Sequence, residues 1–143
     1  MTLVLVLALF TMEPSLPDVL RGVYGVESSF GRNARDGDLD RPLCERSRGG
    51  YQVTPRAVRE LVRVGWLDAS EIPGFSLTNC VGIRAWLAVP RNNHNAARLY
   101  LLLMKERSGG DIELALCRYN GGSDAERGCR YAGQVLAIAS GED

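Results

Sequence analysis

The sequence predicts an all-α, mostly helical domain, and three observations predict it. Apolar residues recur at spacings of three and four along most of the chain. Cap-forming residues (Ser15, Thr54, Asp111 and Ser123) stand at the head of those runs. Strict apolar–polar alternation, the mark of a half-buried strand, is confined to Gly50–Val53 at most. With 143 residues, 45% hydrophobic and 24% charged, the chain suits one domain with a real core.

Residues 1–14 open with an apolar run, Leu3–Phe10. A bilayer span takes about 20 such residues, so the run is too short to cross one. It lacks the basic flank and small-x-small site of a cleaved signal peptide, so it is expected to be retained and to dock on the domain, a partner or a membrane surface. Residues 15–143 form the expected domain. Its first helix starts at Ser15, with Asp18 three residues on and Pro17 in the first turn, and carries Leu16, Val19, Leu20, Val23 and Phe30 at helical spacing before Gly31 stops it. Residues 31–50 are polar, glycine-rich and contain Pro42, which predicts a long loop of the kind that carries function. A second helix runs from Thr54 and Pro55 to Gly65. A third covers "LTNCVGIRAWLAV" and ends before Pro90, and a fourth covers "NAARLYLLLMKERSGG" from Asn95, with Leu99, Leu102 and Leu103 buried. The fifth follows Asp111, and the sixth opens with Ser123 and Glu126 in a capping box.

Composition narrows the chemistry. Seventeen basic and seventeen acidic residues balance, which argues against electrostatically driven binding to nucleic acid or anionic membranes and favours a neutral polymer or small molecule. Cys44, Cys80, Cys117 and Cys129 contain no C-x-x-C pair and His94 is the sole histidine, so no metal site and no cofactor is expected. Four cysteines allow three disulfide connectivities, with Cys117 and Cys129 the nearest pair in sequence; free buried thiols are the alternative. His94 reads as a surface or loop residue.

One residue breaks the apolar pattern. In "GVYGVESSFG" the carboxylate Glu27 sits near the C-terminal end of the first helix, where the helix dipole disfavours negative charge. Half-buried beside Tyr24 and Phe30, it would have a raised pKa and could serve as a general acid. The plainer reading is an exposed glutamate on the polar face.

Four stretches read together favour the acid. "ESSF" at Glu27, "GGYQVTP" at 49–55, "LCRYNGG" at 116–122 and "YAGQVL" at 131–136 follow the order and rough spacing of the lytic transglycosylase (goose-lysozyme-like) family. That family's motifs are E-S-x-F, G-L-M-Q-x-x-P, A-Y-N-A-G and an aromatic before a last helix. "NCVGIRAWL" at 79–87 also resembles its N-x-x-x-G-x-x-Y-L, with Ile83 in place of the glycine. The resemblance covers residues 15–139 and implies a lysozyme-like helical fold with a long loop after the first catalytic helix. It implies that Glu27 is the catalytic glutamate, that Ser28 helps position substrate, that Gln52 contacts sugar, and that Tyr119 and Asn120 are the Tyr–Asn pair, with the Tyr119 hydroxyl close to the catalytic carboxyl. Gly50 and Tyr51 stand where the family has Leu and Met, which alters the cleft wall beside Gln52. Tyr131 is expected to line the cleft.

The activity so implied is cleavage of the MurNAc-β-1,4-GlcNAc bond of peptidoglycan to leave 1,6-anhydro ends. One carboxyl suffices, because the muramic C6 hydroxyl replaces the water of the usual two-carboxylate scheme. The alternative is hydrolysis as in goose-type lysozymes or a phage endolysin, for which Asp36, Asp38 and above all Asp40 are candidate second carboxylates. A catalytically silent lysozyme-like structural module is the remaining reading. The implied partner is a peptidoglycan glycan strand. Other proteins of a phage particle or secretion machine are expected to engage the apolar N-terminus, and the implied setting is outside the cytosol: virion, periplasm or cell wall, with association to a membrane surface.

Overall fold

The computed structural model describes residues 13–32, 39–121 and 125–141. The apolar run Leu3–Phe10, the aspartates Asp36 and Asp38, and the capping residue Ser123 lie outside them. The described residues are mostly helical: α1 (Leu16–Ser28), α2 (Pro55–Arg63), α3 (Val81–Leu87), α4 (Pro90–Arg107), α5 (Ile112–Gly121) and α6 (Ala125–Ala139). The all-α fold class expected from the periodicity is what the chain adopts. Single 3₁₀ turns at Leu43–Glu45 and Ala69–Glu71 punctuate the connections. Among the described residues, extended pairing is limited to one antiparallel bridge, Arg48 with Val53, at the edge of the stretch where alternation was suspected.

The caps act as their chemistry requires. The Ser15 hydroxyl accepts from the Asp18 amide, the Thr54 hydroxyl from Ala57, and the Asp111 carboxylate from Leu114. Each satisfies a donor left over at a helix start. Pro17, Pro55 and Pro90 occupy first turns, where the missing N–H is no loss.

Two helix starts differ from expectation. α3 begins at Val81, because the Asn79 side chain accepts from the Val81 amide and sets the boundary; Leu77, expected inside the helix, is exposed. α4 begins at Pro90, five residues before the Asn95 start that the polar "RNNHN" run suggested. That run is helical because Asn93 is buried and bonded to three backbone groups, so its polarity is satisfied inside the protein. On the same helix Leu101, Leu103 and Met104 are fully covered, whereas Leu99 and Leu102 are only partly so.

The core joins Val19 and Val23 of α1 to Val58 and Leu61 of α2, Ile83 and Leu87 of α3, Leu101 of α4, Leu116 of α5 and Val135 of α6. Packing is densest between α5 and α6, between α1 and α6 and between α4 and α5. α1 and α6 approach closely at Gly22, where a Cβ would lie 2.5 Å from the Val135 carbonyl oxygen. All four cysteines are bridged. Cys117–Cys129 ties α5 to α6, with Cα atoms 4.3 Å apart, and Cys44–Cys80 ties the 3₁₀ turn of the long loop to the head of α3.

Candidate active site

α1 stops one residue after Glu27 for a local reason. The Ser28 hydroxyl donates to the Tyr24 carbonyl at 2.9 Å and accepts from the Gly31 amide at 2.9 Å, so it folds the chain back over its own last turn. Ser29, Phe30 and Gly31 then take three successive left-handed conformations, with φ of 50°, 58° and 85°. Two of these are non-glycine residues, where that conformation is costly and marks a constrained segment. Ser28 is 1% exposed. The resemblance gave it a substrate-positioning role; the structure gives its hydroxyl to the backbone, so it shapes the end of the helix that carries Glu27. Phe30, expected on the core face, lies beyond the helix and is 46% exposed, with its ring edge-on to Tyr24.

The Glu27 carboxyl faces α5 and α6. Asn120 Nδ2 donates to Glu27 Oε1 at 3.4 Å, a long bond. The Tyr131 hydroxyl lies close enough for each group to shift the other's ionisation, yet it is buried and completes no hydrogen bond of ordinary geometry. Burial raises the Glu27 pKa from 4.5 to about 7, and the polar contacts from Tyr131 and Asn120 pull the other way. Tyr119 lies nearby, partly buried against the core. Its ring lies parallel to that of Tyr131, centroids 6.5 Å apart, and its hydroxyl donates to the Tyr51 carbonyl at 3.2 Å. Burial first and the Glu27 charge second hold both phenols well above their usual range, so both remain protonated donors.

The third component is the turn Gly49–Gln52, closed by the Arg48–Val53 bridge. Gln52 adopts φ 48°, donates through Nε2 to the Gly49 carbonyl at 2.8 Å and accepts through Oε1 from the Ser47 hydroxyl at 2.7 Å. Its side chain is therefore fixed within its own turn. Asn93 grips the same turn from α4: Nδ2 donates to the Arg48 carbonyl at 2.7 Å and to the Leu87 carbonyl at 3.1 Å, and Oδ1 accepts from the Tyr51 amide at 3.0 Å. A side chain at Gly50 would collide with the Tyr24 ring, which occupies the space a Cβ would need.

Two cavities flank this turn. One, of about 560 Å³, is lined by Gln52, Tyr119 and Asn120, with charged residues from the long loop, α2, α4 and α5 around them. The other, of about 620 Å³, is lined by Gly50, Tyr51, Tyr24, Asn93 and His94. There the Tyr51 ring stacks on Tyr24 at 5.0 Å, and its hydroxyl shares a 2.7 Å hydrogen bond with His94 Nδ1.

Contacts link these elements, Glu27 to Asn120, Tyr119 to the Tyr51 carbonyl and Tyr119 to the Tyr131 ring, but neither Glu27 nor Tyr131, which was expected to line the cleft, lines either of these two cavities; Tyr131 is buried instead. Asp40, the candidate second carboxylate, is exposed. Sequence reasoning missed two contributors. His94, exposed as expected but on a helix and hydrogen-bonded to Tyr51, lines a cavity. Asn93 was readable as a polar residue at the register of the buried Ala96, Ala97 and Leu101 face. Among the described residues, no helix is long and apolar enough to cross a membrane. No protein-family model, curated protein or solved structure matches the chain.

Proposed function

We propose that the protein is a peptidoglycan lytic transglycosylase, with Glu27 as its single catalytic acid and base. The observation that carries the reading is the carboxyl of Glu27, half-buried beside Asn120, Tyr119 and Tyr131, where desolvation raises its pKa to about 7. A carboxylic acid poised there holds a proton at neutral pH yet can release it, which suits one group to both halves of the reaction. Protonated Glu27 delivers its proton to the glycosidic oxygen between N-acetylmuramic acid and N-acetylglucosamine as the bond to the muramic C1 breaks. The resulting carboxylate is stabilised by Asn120 and by the otherwise unpartnered Tyr131 hydroxyl. It then accepts the proton of the muramic C6 hydroxyl as that oxygen closes onto C1. The proton count returns to its start, the product is a 1,6-anhydro end, and no water is consumed.

Gln52 and Asn120 line the cavity beside the acid and are the proposed sugar contacts. Tyr119 holds the turn that bears Gln52 through its bond to the Tyr51 carbonyl. Tyr51 faces the second cavity, on the other side of that turn. The proposed setting is outside the cytosol, at a cell wall, where disulfides persist; both bridges are consistent with it. The test is product analysis. Digestion of purified peptidoglycan should release muropeptides lighter by one water than those with reducing ends. Reducing ends, together with loss of activity in Asp40→Asn, would make the protein an inverting hydrolase with Glu27 as acid and Asp40 activating water.

A further inference from the structure

The cavity of about 620 Å³ takes no part in the proposed chemistry, and its walls are largely apolar or aromatic. Tyr24, Tyr51, Leu87, Ala88 and Pro90 line it, and Arg48 is the one lining residue with a fixed charge. Apolar surface continues past its rim. Val89, between two lining residues, is exposed, and so is Phe30, whose ring meets Tyr24 edge-on. Cavities of ~300–1,000 Å³ with walls of this kind take up apolar groups, and contiguous exposed apolar surface beside one marks a contact site.

The chain carries a matching segment. Residues 2–12 contain no charged side chain, and Leu3–Phe10 is continuously apolar. The point where this segment joins the described domain is fixed. Glu13 Oε2 lies 3.9 Å from Lys105 Nζ, near the C-terminal end of α4, and α1 begins three residues later. Two helices lead from that point to the cavity. On α4, Lys105 and His94 are eleven residues apart, which is about 17 Å and close to three whole turns, so both side chains leave the same side of the helix. On α1, Leu16 and Tyr24 are eight residues apart, about 12 Å. Glu13 precedes Pro14, which biases it to extended backbone. An extended chain covers ~3.3 Å per residue, so about five residues ahead of Glu13 span either interval and the rest of the apolar run comes over the cavity.

We propose that the cavity between the Gly49–Gln52 turn, α1 and α4 receives the apolar run Leu3–Phe10 of the same chain, which straps the turn on the side away from the cavity of Gln52 and Asn120. Burial of leucine and valine side chains against Tyr24, Tyr51, Ala88 and Val89 drives the docking. The run brings no charge to desolvate there. The inference is independent of the catalytic reading.

His94 is the sole histidine, is exposed and lines the cavity, so its acylation by diethyl pyrocarbonate reports whether the cavity is covered. A run docked about nine-tenths of the time slows that reaction about tenfold. The wild-type chain is therefore expected to react about tenfold more slowly than Leu5→Asp/Leu7→Asp, at a rate independent of protein concentration and with the same circular dichroism in both proteins. Chymotrypsin, which cleaves after aromatic and leucine side chains, gives a reading that needs no variant. It should cut after Phe10 in the folded wild-type chain about tenfold more slowly than in a free peptide of residues 1–14. Equal His94 rates in the two proteins, the result if the run belongs to a membrane surface or to another protein, would overturn the proposal. So would protection that grows with protein concentration, which would give the cavity to the run of a second copy, or cleavage of the wild-type chain as fast as of the peptide.

Discussion

Glu27 is held in a neutral-leaning state by its surroundings, and this has a thermodynamic signature independent of any substrate. Its folded pKa, about 7, lies above the ordinary value of 4.5, so the native protein binds that proton more tightly than the unfolded chain does. Stability therefore falls as pH rises between those two values and levels off above the higher one. Glu27→Gln removes the dependence. The variant should match wild type near pH 4 and exceed it by about 1–3 kcal/mol at pH 8, read by denaturant unfolding at the two pH values. Activity has the opposite sensitivity. In the proposed reaction the acid is protonated in the free protein, so kcat/KM should be flat below about pH 7 and fall about tenfold per pH unit above it. A profile that rises through this range would assign Glu27 the part of a base in the first step. At this scale the sequence singled out Glu27 and was silent about its surroundings. That a glutamate interrupts an apolar helix is visible in "GVYGVESSFG"; that Asn120 and Tyr131 come to it from α5 and α6 depends on packing across about a hundred residues, which periodicity does not encode. Ser28 shows the converse. Its place after the glutamate resembled a substrate contact, and only the backbone path past Gly31 shows that its hydroxyl holds the helix end.

The turn Gly49–Gln52 depends on a neighbour far away in sequence. Asn93 makes three hydrogen bonds to backbone groups of Arg48, Tyr51 and Leu87 while itself buried. Asn93→Ala would strand the Tyr51 amide and the Leu87 carbonyl, whereas the Arg48 carbonyl keeps the Val53 amide. A loss of about 2–4 kcal/mol is expected from chemical denaturation, since stranding buried polar groups is among the larger single-residue effects. The same change should lower activity through the displaced Gln52 turn. Near-wild-type stability would mean that the turn holds itself. Helix boundaries illustrate what local chemistry can and cannot specify. Starts at Ser15, Thr54 and Asp111 were legible because the cap residue and its target amide lie three residues apart. The start of α4 was not, because "RNNHN" looks solvated until the partners of Asn93 are known. Phe30 was misplaced for a related reason: spacing alone counts it with Val19 and Val23, but the chain leaves the helix at Ser29.

For the molecule as a whole, two disulfides join the long loop to α3 and α5 to α6, so the loop after α1 and the elements around the acid are cross-linked into the core. The Cys117–Cys129 proximity was legible in sequence; the Cys44–Cys80 pairing, across 36 residues, was one of three arithmetic options until the fold placed it. No thiol should react under denaturing, non-reducing conditions and four should react after reduction. Reduction should destabilise the domain, with loop-closure entropy giving about 3 kcal/mol for the shorter bridge and about 4 kcal/mol for the longer. Helical class and a single core followed from pattern and composition. The central claim, that one carboxyl does the chemistry, is tested most directly by lysis of purified peptidoglycan with Glu27→Gln. Glutamine preserves the shape but cannot exchange the proton. The account predicts a loss of at least ~10²–10⁴ in rate with unchanged circular dichroism; a folded variant that lyses peptidoglycan at a rate near that of the wild type would contradict it.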